Sequence, residues 1–241
     1  GYLKNKTMIN VEIFRMIIAV FEHGCPMEDI IDCSALIETG RLTNNFSVLN
    51  IFEDKEENKN LLFYIISDTL LLNLLVFHKL KLLITKGEPL ETALEQLNIK
   101  KKQLFSLIKK KNEIKDDLKS ININIFYKNN DMLLLEELTT SLESGLHRIS
   151  LLKKCFYDGF KNKLCYYNFS QKQYFVIKTN NSVYLNTHPK YNDSLNCPYP
   201  KYIIIYNYAI SISGDSYFVN ADYFYSSMDG FVGVDPNVVK W

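Results

Sequence analysis

The sequence lacks the motifs that mark several classes of enzyme and metal protein. It contains no Gly-x-x-x-x-Gly-Lys-Ser/Thr loop for nucleotide phosphates, no His-Glu-x-x-His and no Gly-x-Ser-x-Gly. Its four histidines are scattered, and no Cys/His cluster has the spacing of a zinc site. The adjacent acids Glu136 and Glu137 would point apart on a helix, which favours solvated carboxylates over a catalytic dyad. The sequence therefore predicts no catalytic residue, no metal and no cofactor in this chain.

Cysteine pairs with Cys-x-x-Cys spacing are also absent. The five cysteines are Cys25, Cys33, Cys155, Cys165 and Cys197. An odd count without paired spacing argues against a disulfide framework and favours buried thiols in a reducing compartment. There is neither a secretory signal peptide nor an apolar run long enough to span a bilayer. We therefore expect an intracellular protein with no membrane partner.

Positive and negative residues nearly balance, with 28 Lys+Arg, 27 Asp+Glu and a net charge of +1. Overall charge thus does not indicate a nucleic-acid binder, although local basic patches remain compatible with one. Basic residues are nearly all lysine, and the arginines are Arg15, Arg41 and Arg148. The chain begins at Gly1-Tyr2 without a methionine, which suggests a piece of a longer protein.

Two halves of the chain differ in hydrophobic pattern. From about residue 9 to residue 163, apolar residues recur three and four positions apart, which predicts helices. The predicted stretches are a stripe at 13–20, a helix after Pro26 with acids in its first turn, residues 61–84, a short helix after Pro89, 100–120 and 132–160. The run at 61–84 is apolar nearly all round, so it is expected to be buried, with His78 as a core or edge residue.

From about Tyr166 the pattern changes to period two, which predicts strands. The predicted strands are YFVIKT, SVYLNT, KYIIIYNYAISI and SYFVNADYF, with a tight turn at Asn180-Asn181. Most of YIIIYNYAIS is expected to be core. The fold class that follows is α+β, an N-terminal all-α domain followed by a small antiparallel β-barrel.

Six segments of the sequence resemble segments of a known protein family, and they follow one another in the same order as in that family. They are EHGCPMEDIIDCSALIE (22–38), NNFSVLNIFED (44–54), CFYDGFKNKLCYY (155–167), SVYLNTHP (182–189), PKYIIIYNYAIS (200–211) and GFVGVDPNVVKW (230–241). In this order they resemble the C-terminal accessory region of DEAH-box helicases, most closely those of large cytoplasmic DNA viruses of the asfarvirus or poxvirus kind. Asn44 and Asn45 replace the usual Asp-His of that family, Lys190 replaces a serine and Gly233 a threonine.

The resemblance implies the end of a winged-helix domain at 1–22, a helical ratchet-like domain at 23–154 and an OB-fold at 155–241. It also implies that the chain guides single-stranded RNA, or DNA, against RecA-like motor domains of the same protein. ATP and Mg would bind in those motor domains, so this region would have no activity alone. The alternatives are a docking module for an activator protein and an unrelated oligonucleotide-binding protein.

Candidate nucleic-acid contacts lie in both implied domains. They are Asn45, Ser47, Asn50, Lys161, Lys163, Lys178, His188, Lys190 and Ser211. Asn45 and Ser47 suit a helix N-cap equally well, and Asn50 could simply tie two helices together. For His188 a structural turn is favoured. For the lysine-rich residues 100–111 a solvated helix face is favoured, and for the tyrosines of the β segments a place in the core or at the edge of the barrel.

Overall fold

The computed structural model describes residues 9–43, 69–128, 132–185, 202–213 and 216–225. Within these ranges, seven α-helices come first in the chain and five β-strands follow them. Contacts divide the described residues into a helical unit, which ends at Gly159, and a β unit, which contains the residues from Phe160 onward together with Thr69. The α+β class and the order of its two parts agree with the sequence prediction.

The helices follow the predicted stretches closely. They are α1 (Val11–His23), α2 (Met27–Thr39), α3 (Thr69–Thr85), α4 (Leu90–Gln96), α5 (Lys101–Ser120), α6 (Leu134–Thr140) and α7 (Leu142–Phe160). α1 buries its predicted apolar stripe. α2 begins directly after Pro26, with Glu28 and Asp29 in its first turn. Pro89 precedes α4 in the same way, because proline's fixed φ suits a helix start.

α3 is the apolar centre of the helical unit. Residues 70–78 and Leu80 are all buried, which confirms the prediction for this part of the run, whereas Ile84 is exposed and residues 61–68 lie outside the described residues. His78 is buried with them, as expected. The other polar residue of this stretch, Asn73, accepts hydrogen bonds at Oδ1 from the Leu42 (2.8 Å) and Thr43 (3.3 Å) N–H groups. None of the described helices is both long and apolar enough to cross a membrane.

One predicted helix is in fact two. The sequence predicts a continuous helix over residues 132–160, but the backbone becomes extended at Ser141 (φ −143°, ψ 103°) between α6 and α7. The Thr139 and Thr140 hydroxyls donate to the Glu136 carbonyl at 2.9 and 2.8 Å. Side chains that compete for backbone groups in this way favour helix ends. Ser141 Oγ then accepts from the Ser144 N–H (3.4 Å), near the start of α7.

Gly145 allows α6 and α7 to pack closely after this break. A Cβ at Gly145 would lie 2.6 Å from Leu138 Cδ2 and 2.8 Å from its Cα, which is backbone. We expect Gly145→Ala to lower the free energy of unfolding by about 1–3 kcal/mol, although alanine is the better helix former. Urea unfolding measures this, with Lys154→Ala on the exposed side of α7 as the control. A gain in stability from Gly145→Ala would contradict the close packing.

The β unit contains β1 (Leu164–Asn168), β2 (Gln173–Val176), β3 (Ser182–Leu185), β4 (Tyr202–Ser213) and β5 (Ser216–Tyr225). A 3₁₀ turn, Lys161–Lys163, leads into β1. Ladders join the strands in the order β1-β2-β3-β5-β4, and β4 pairs again with β1. Every described ladder is antiparallel except β3–β5, which is parallel. The sequence predicted an antiparallel sheet, and the described sheet is antiparallel except for this one pair of strands.

The inner side of these strands forms an apolar cluster. Its members are Cys165, Tyr167, Tyr174, Val176, Val183, Ile203 and Ile205. Residues 202–205 are all buried, so the first four residues of YIIIYNYAIS are core as predicted, whereas Tyr206 is half-buried and the side chains of 207–211 lie outside the description. The β4–β5 register shifts between Ile205 and Asn207, so strict alternation does not continue through the strand. Asn180 has φ 55° in the predicted turn between β2 and β3, a left-handed conformation that asparagine tolerates.

The described cysteines are buried free thiols, as expected. They are Cys25, Cys33, Cys155 and Cys165, while Cys197 lies outside the described residues. A hydrogen bond with Cys155, together with burial, raises the pKa of the Cys25 thiol. Burial alone raises the pKa of Cys165. Protonated, enclosed thiols are poor nucleophiles, so neither has the environment of a reactive cysteine.

Candidate nucleic-acid interface

The structure describes some of the predicted contact residues and not others. Asn45, Ser47, Asn50, His188 and Lys190 lie outside the described residues, and Ser211 is described only by its backbone in β4. Lys161 and Lys163 are half-buried in the 3₁₀ turn before β1, and Lys178 is exposed in the turn after β2. The side chains that can be placed therefore all belong to the β unit.

Lys163 and Lys178 lie at the same end of the β1–β2 ladder. The Leu164 carbonyl accepts a hydrogen bond from the Ile177 N–H at 2.9 Å. Lys163 directly precedes Leu164 and Lys178 directly follows Ile177, so this bond brings the two lysines close in space. The Lys163 ammonium also lies 5.4 Å from the centre of the Phe160 ring, a cation–π distance. Two positive groups therefore mark one end of the ladder.

Two aromatic rings lie on the outward side of the same ladder. Tyr166 and Phe175 are directly opposite each other on β1 and β2, and both are half-buried. Their centroids are 5.9 Å apart at an interplanar angle of 31°. The Tyr166 hydroxyl donates to Asn180 Oδ1 at 3.3 Å, which links β1 to the β2–β3 turn. Neighbouring residues along each strand face the core, so this pair belongs to the opposite surface.

A third aromatic residue, Phe169, stands at the other end of the ladder. It begins the turn between β1 and β2 and is 64% exposed. Asn168 Oδ1 accepts from the Ser170 N–H (3.0 Å), the Ser170 hydroxyl (2.7 Å) and the Gln171 N–H (3.2 Å). Such an Asx turn holds a short loop in one conformation. Exposed Lys172, at φ 52°, closes the turn.

Sequence reasoning did not single out these three aromatic residues. It assigned the tyrosines of the β segments to the barrel core and edge, and Tyr167, Tyr174 and Tyr202 are buried whereas Tyr166 is half-buried. Period two separates the faces of a strand but does not identify the outer face when both carry aromatic residues. For Phe169 a signal was available, because an asparagine followed by serine within three residues is typical of a turn.

The helical unit contains a second concentration of charge, which we call the buried ionic centre. It comprises Asp29, Asp32, His78, Lys81, Lys111 and Arg148. Arg148 binds Asp29 through two nitrogens, with Nε–Oδ2 at 2.6 Å and Nη2–Oδ1 at 2.8 Å. Its Nη1 donates to Glu137 Oε2 (2.7 Å) and to the Met132 carbonyl (2.9 Å). A bidentate guanidinium–carboxylate pair fixes geometry as well as charge.

Asp32 is the other anion of the buried ionic centre and is 0% exposed. Lys81 Nζ lies 2.7 Å from its Oδ2, Lys111 pairs with its Oδ1, and His78 Nε2 is 3.9 Å away. Burial opposes ionisation of Asp32, but His78, Lys81 and Lys111 together outweigh it and hold the pKa of Asp32 well below its usual range. A carboxylate kept ionised by cations has the environment of a structural ion pair.

The lysine-rich face of α5 serves two roles. Lys102 and Lys109 are exposed, as expected for a solvated face. Lys110 and Lys111 instead reach acids of α2, with Lys110 Nζ 3.1 Å from Glu38 and Lys111 Nζ 2.5 Å from Glu28. The prediction of a solvated helix face is therefore wrong for these two residues. Their positive charge holds α2 and α5 together and is not available to a ligand.

Glu22, His23 and Asp158 form a small group of metal-ligand type. Their ligand atoms lie within 4.8 Å of one another, and His23 Nε2 is 2.6 Å from Asp158 Oδ2. Because the imidazole already has the carboxylate as its partner, an ordinary His–Asp contact accounts for the geometry. Asp158 is 135 positions from His23, so no sequence spacing could have indicated this group.

Comparison with known proteins assigns no family to the chain. No protein-family model matches it, and no curated protein matches it. The strand order, the paired lysines and the outward aromatic residues are the observations from which a function can be inferred.

Proposed function

We propose that this chain is the C-terminal nucleic-acid-guiding region of an ATP-dependent helicase similar to the DEAH-box RNA helicases. The helical part would act as a ratchet-like domain and the β part as an OB-fold. Together they would hold single-stranded RNA, or DNA, against RecA-like motor domains of the same protein. Those motor domains would bind ATP and Mg, so this region would have no hydrolase activity by itself.

The order of strand pairing carries this proposal. An OB-fold is a five-stranded Greek-key barrel that binds oligonucleotides on one face and at its loops. The pairing order β1-β2-β3-β5-β4, with β4 returning to β1 and a parallel β3–β5 pair, is the connectivity expected of that fold. A helical unit preceding such a β unit is the arrangement that the sequence resemblance implies. The strand order therefore supports an oligonucleotide-binding role.

Local charge in the β unit adds to this support. Lys163 and Lys178 lie at one end of the β1–β2 ladder, and Lys161 precedes them in the 3₁₀ turn. Lysines bind phosphate as point charges and recognise no base sequence. A helicase accessory domain needs this kind of contact, because the strand must slide past it. The net charge of +1 means that such a patch acts locally.

The test compares Lys161→Ala/Lys163→Ala/Lys178→Ala with a control of equal charge change, Lys102→Ala/Lys109→Ala/Lys154→Ala, at exposed helical positions. Binding to a fluorescent single strand is measured at several salt concentrations. We expect about tenfold weaker binding for the β-unit variant at low salt, because phosphate contacts are lost. The slope of log K against log salt should also decrease by about 0.7 for each phosphate contact removed.

Unchanged affinity of the β-unit variant for the strand would show that these three lysines do not contact it. Negligible binding by the unaltered chain, even at low salt, would contradict strand holding by this region alone. Coding sequence ahead of Gly1 offers a separate check. A Gly-Lys-Thr loop and an Asp-Glu-x-His motif there would establish the helicase parent.

A docking module for an activator protein is the second candidate, and the surface of α1 favours it. Val11, Ile18 and Phe21 are exposed on this helix at spacings of seven and three residues. These spacings place them on one side of the helix. A row of exposed apolar side chains is typical of protein interaction sites. Negligible nucleic-acid binding by the unaltered chain, even at low salt, would make this alternative the stronger one.

A further inference from the structure

We propose that the outer face of α1 is a self-association surface, on which a second copy of the chain places its own α1 in the antiparallel direction. The partner that this face fits is therefore an identical helix, related to the first by a two-fold axis. This inference is independent of the strand-holding role. It also gives the exposed apolar row of α1 an occupant other than an activator protein.

The outer face of α1 has the apolar spacing of a helix–helix seam. Its apolar residues recur at intervals of three, four and three positions, as the a and d residues of a heptad do, and they are Val11, Phe14, Ile18 and Phe21. At 3.6 residues per turn they lie within an arc of about 80°. Phe14 is half-buried and the other three are exposed, whereas the buried residues of α1 lie on its opposite side. A second apolar stripe on the solvent side of a helix is typical of an interface.

Aromatic residues of the segment after α5 adjoin this seam. The rings of Tyr127 and Phe21 are in contact, with centroids 4.7 Å apart. The Tyr127 carbonyl accepts a hydrogen bond from the Met27 N–H at 3.1 Å, which fixes the segment to the start of α2. The next ring, Phe126, is 69% exposed, and its N–H donates to Asn124 Oδ1 at 3.0 Å. This turn is therefore ordered before any partner binds, so little conformational entropy is lost there on association.

Two unlike charges border the seam and specify the partner. Arg15 and Glu22 are seven residues apart, so both take the e position of the heptad. Both are exposed, and no residue that the structure describes forms an ion pair with either. A Glu22 carboxylate oxygen lies within 4.8 Å of the Asp158 carboxylate, whose own partner is His23. The Glu22 end of the face therefore attracts a cation, and Arg15, two turns earlier, attracts an anion.

An antiparallel second copy satisfies the apolar residues and both charges at once. When Ile18 of one copy packs against Phe21 of the other, the two helices run in opposite directions, so Arg15 of the first lies beside Glu22 of the second. The axial offset between these two residues is about 3 Å, which their side chains can span. The two-fold axis repeats the ion pair on the other flank. In a parallel pair the charges would instead face the g positions, where α1 has an asparagine and a buried isoleucine.

The length of α1 sets the strength of this association. Its 13 residues span about 20 Å, so the seam holds only two apolar layers and two ion pairs. Interfaces of this size belong to the small, transient class. We expect a dissociation constant on the order of 10 μM.

Sedimentation velocity of the full chain at a series of concentrations around this value measures the self-association. Arg15→Glu and Glu22→Arg each place like charges opposite each other in both ion pairs, so each variant should associate at least about tenfold more weakly. An equimolar mixture of the two variants restores unlike charges on both flanks and should associate as the unaltered chain does. Lys102→Glu and Glu95→Arg, at exposed positions of α5 and α4, are the matched controls and should have no effect.

Recovery in the mixture separates the α1 pair from a folding defect, because a misfolded variant would not regain association with its counterpart. Recovery would support the antiparallel pair directly. A chain that stays monomeric well above the expected dissociation constant would overturn the second copy as the partner and leave an activator protein as the occupant of this face. Self-association that neither single variant weakens, or that the mixture fails to restore, would place the contact elsewhere and overturn the role of α1.

Discussion

Arg148→Met is expected to lower the free energy of unfolding by about 3–5 kcal/mol, the cost of leaving a buried charge without its partner. Asp29 is 2% exposed and receives two hydrogen bonds from the Arg148 guanidinium. Methionine keeps most of the side-chain volume but donates no hydrogen bond, so Asp29 would stay buried without the guanidinium, with His78 Nε2 3.9 Å away. Urea unfolding followed by circular dichroism measures the change.

A second variant decides whether the charge pair or the packing causes this loss. In Asp29→Leu/Arg148→Met both buried charges are gone, and apolar groups of similar size replace them. Such double replacement is often neutral or stabilising, so the double variant should be clearly more stable than Arg148→Met alone. Glu137, the other acidic partner of Arg148, is partly exposed and can be hydrated. If the double variant lost as much free energy of unfolding as the single variants Asp29→Leu and Arg148→Met lose together, Asp29 and Arg148 would not be coupled.

The role of Asp29 shows where sequence reasoning reached its limit. Periodicity and Pro26 predicted α2 well, because both signals are local. The acid in its first turn was interpreted as a partner of the helix dipole. Its actual partner, Arg148, lies 119 positions further along the chain, and no local pattern joins the two. Position in a first turn cannot separate an exposed acid from a buried one.

The β unit shows the same limit at the candidate interface. Period two and turn residues predicted β2 to β5 and the Asn180 turn. The parallel β3–β5 pairing could not be predicted in this way, because it joins strands that are distant in sequence. The lysines were found from residue type, since phosphate contact requires only a positive charge. The outward position of Tyr166 and Phe175 could not be predicted in this way, because it depends on which strand face the assembled sheet leaves outside.

The second large effect concerns Asp32, the anion that links α2 to α3 and α5. Asp32→Asn keeps the shape of the side chain but removes the charge that Lys81 and Lys111 share. We expect the free energy of unfolding at neutral pH to fall by about 3 kcal/mol, since two partly buried ammonium groups lose their common partner. Asp116→Asn is the control. Its side chain is exposed, and its contact with Lys119 is a surface pair worth little.

The pH dependence of Asp32→Asn gives this prediction its sharpest form. Because the folded pKa of Asp32 lies below its unfolded value, its ionised form stabilises the fold fully above the unfolded pKa. That contribution is lost as pH falls toward the folded pKa. The stability difference between the unaltered chain and Asp32→Asn should therefore be constant from pH 7 to about 5 and shrink below about pH 4, the ordinary aspartate value. A difference that stays constant down to pH 3 would show that the lost hydrogen bonds, and not the charge of Asp32, cause the destabilisation.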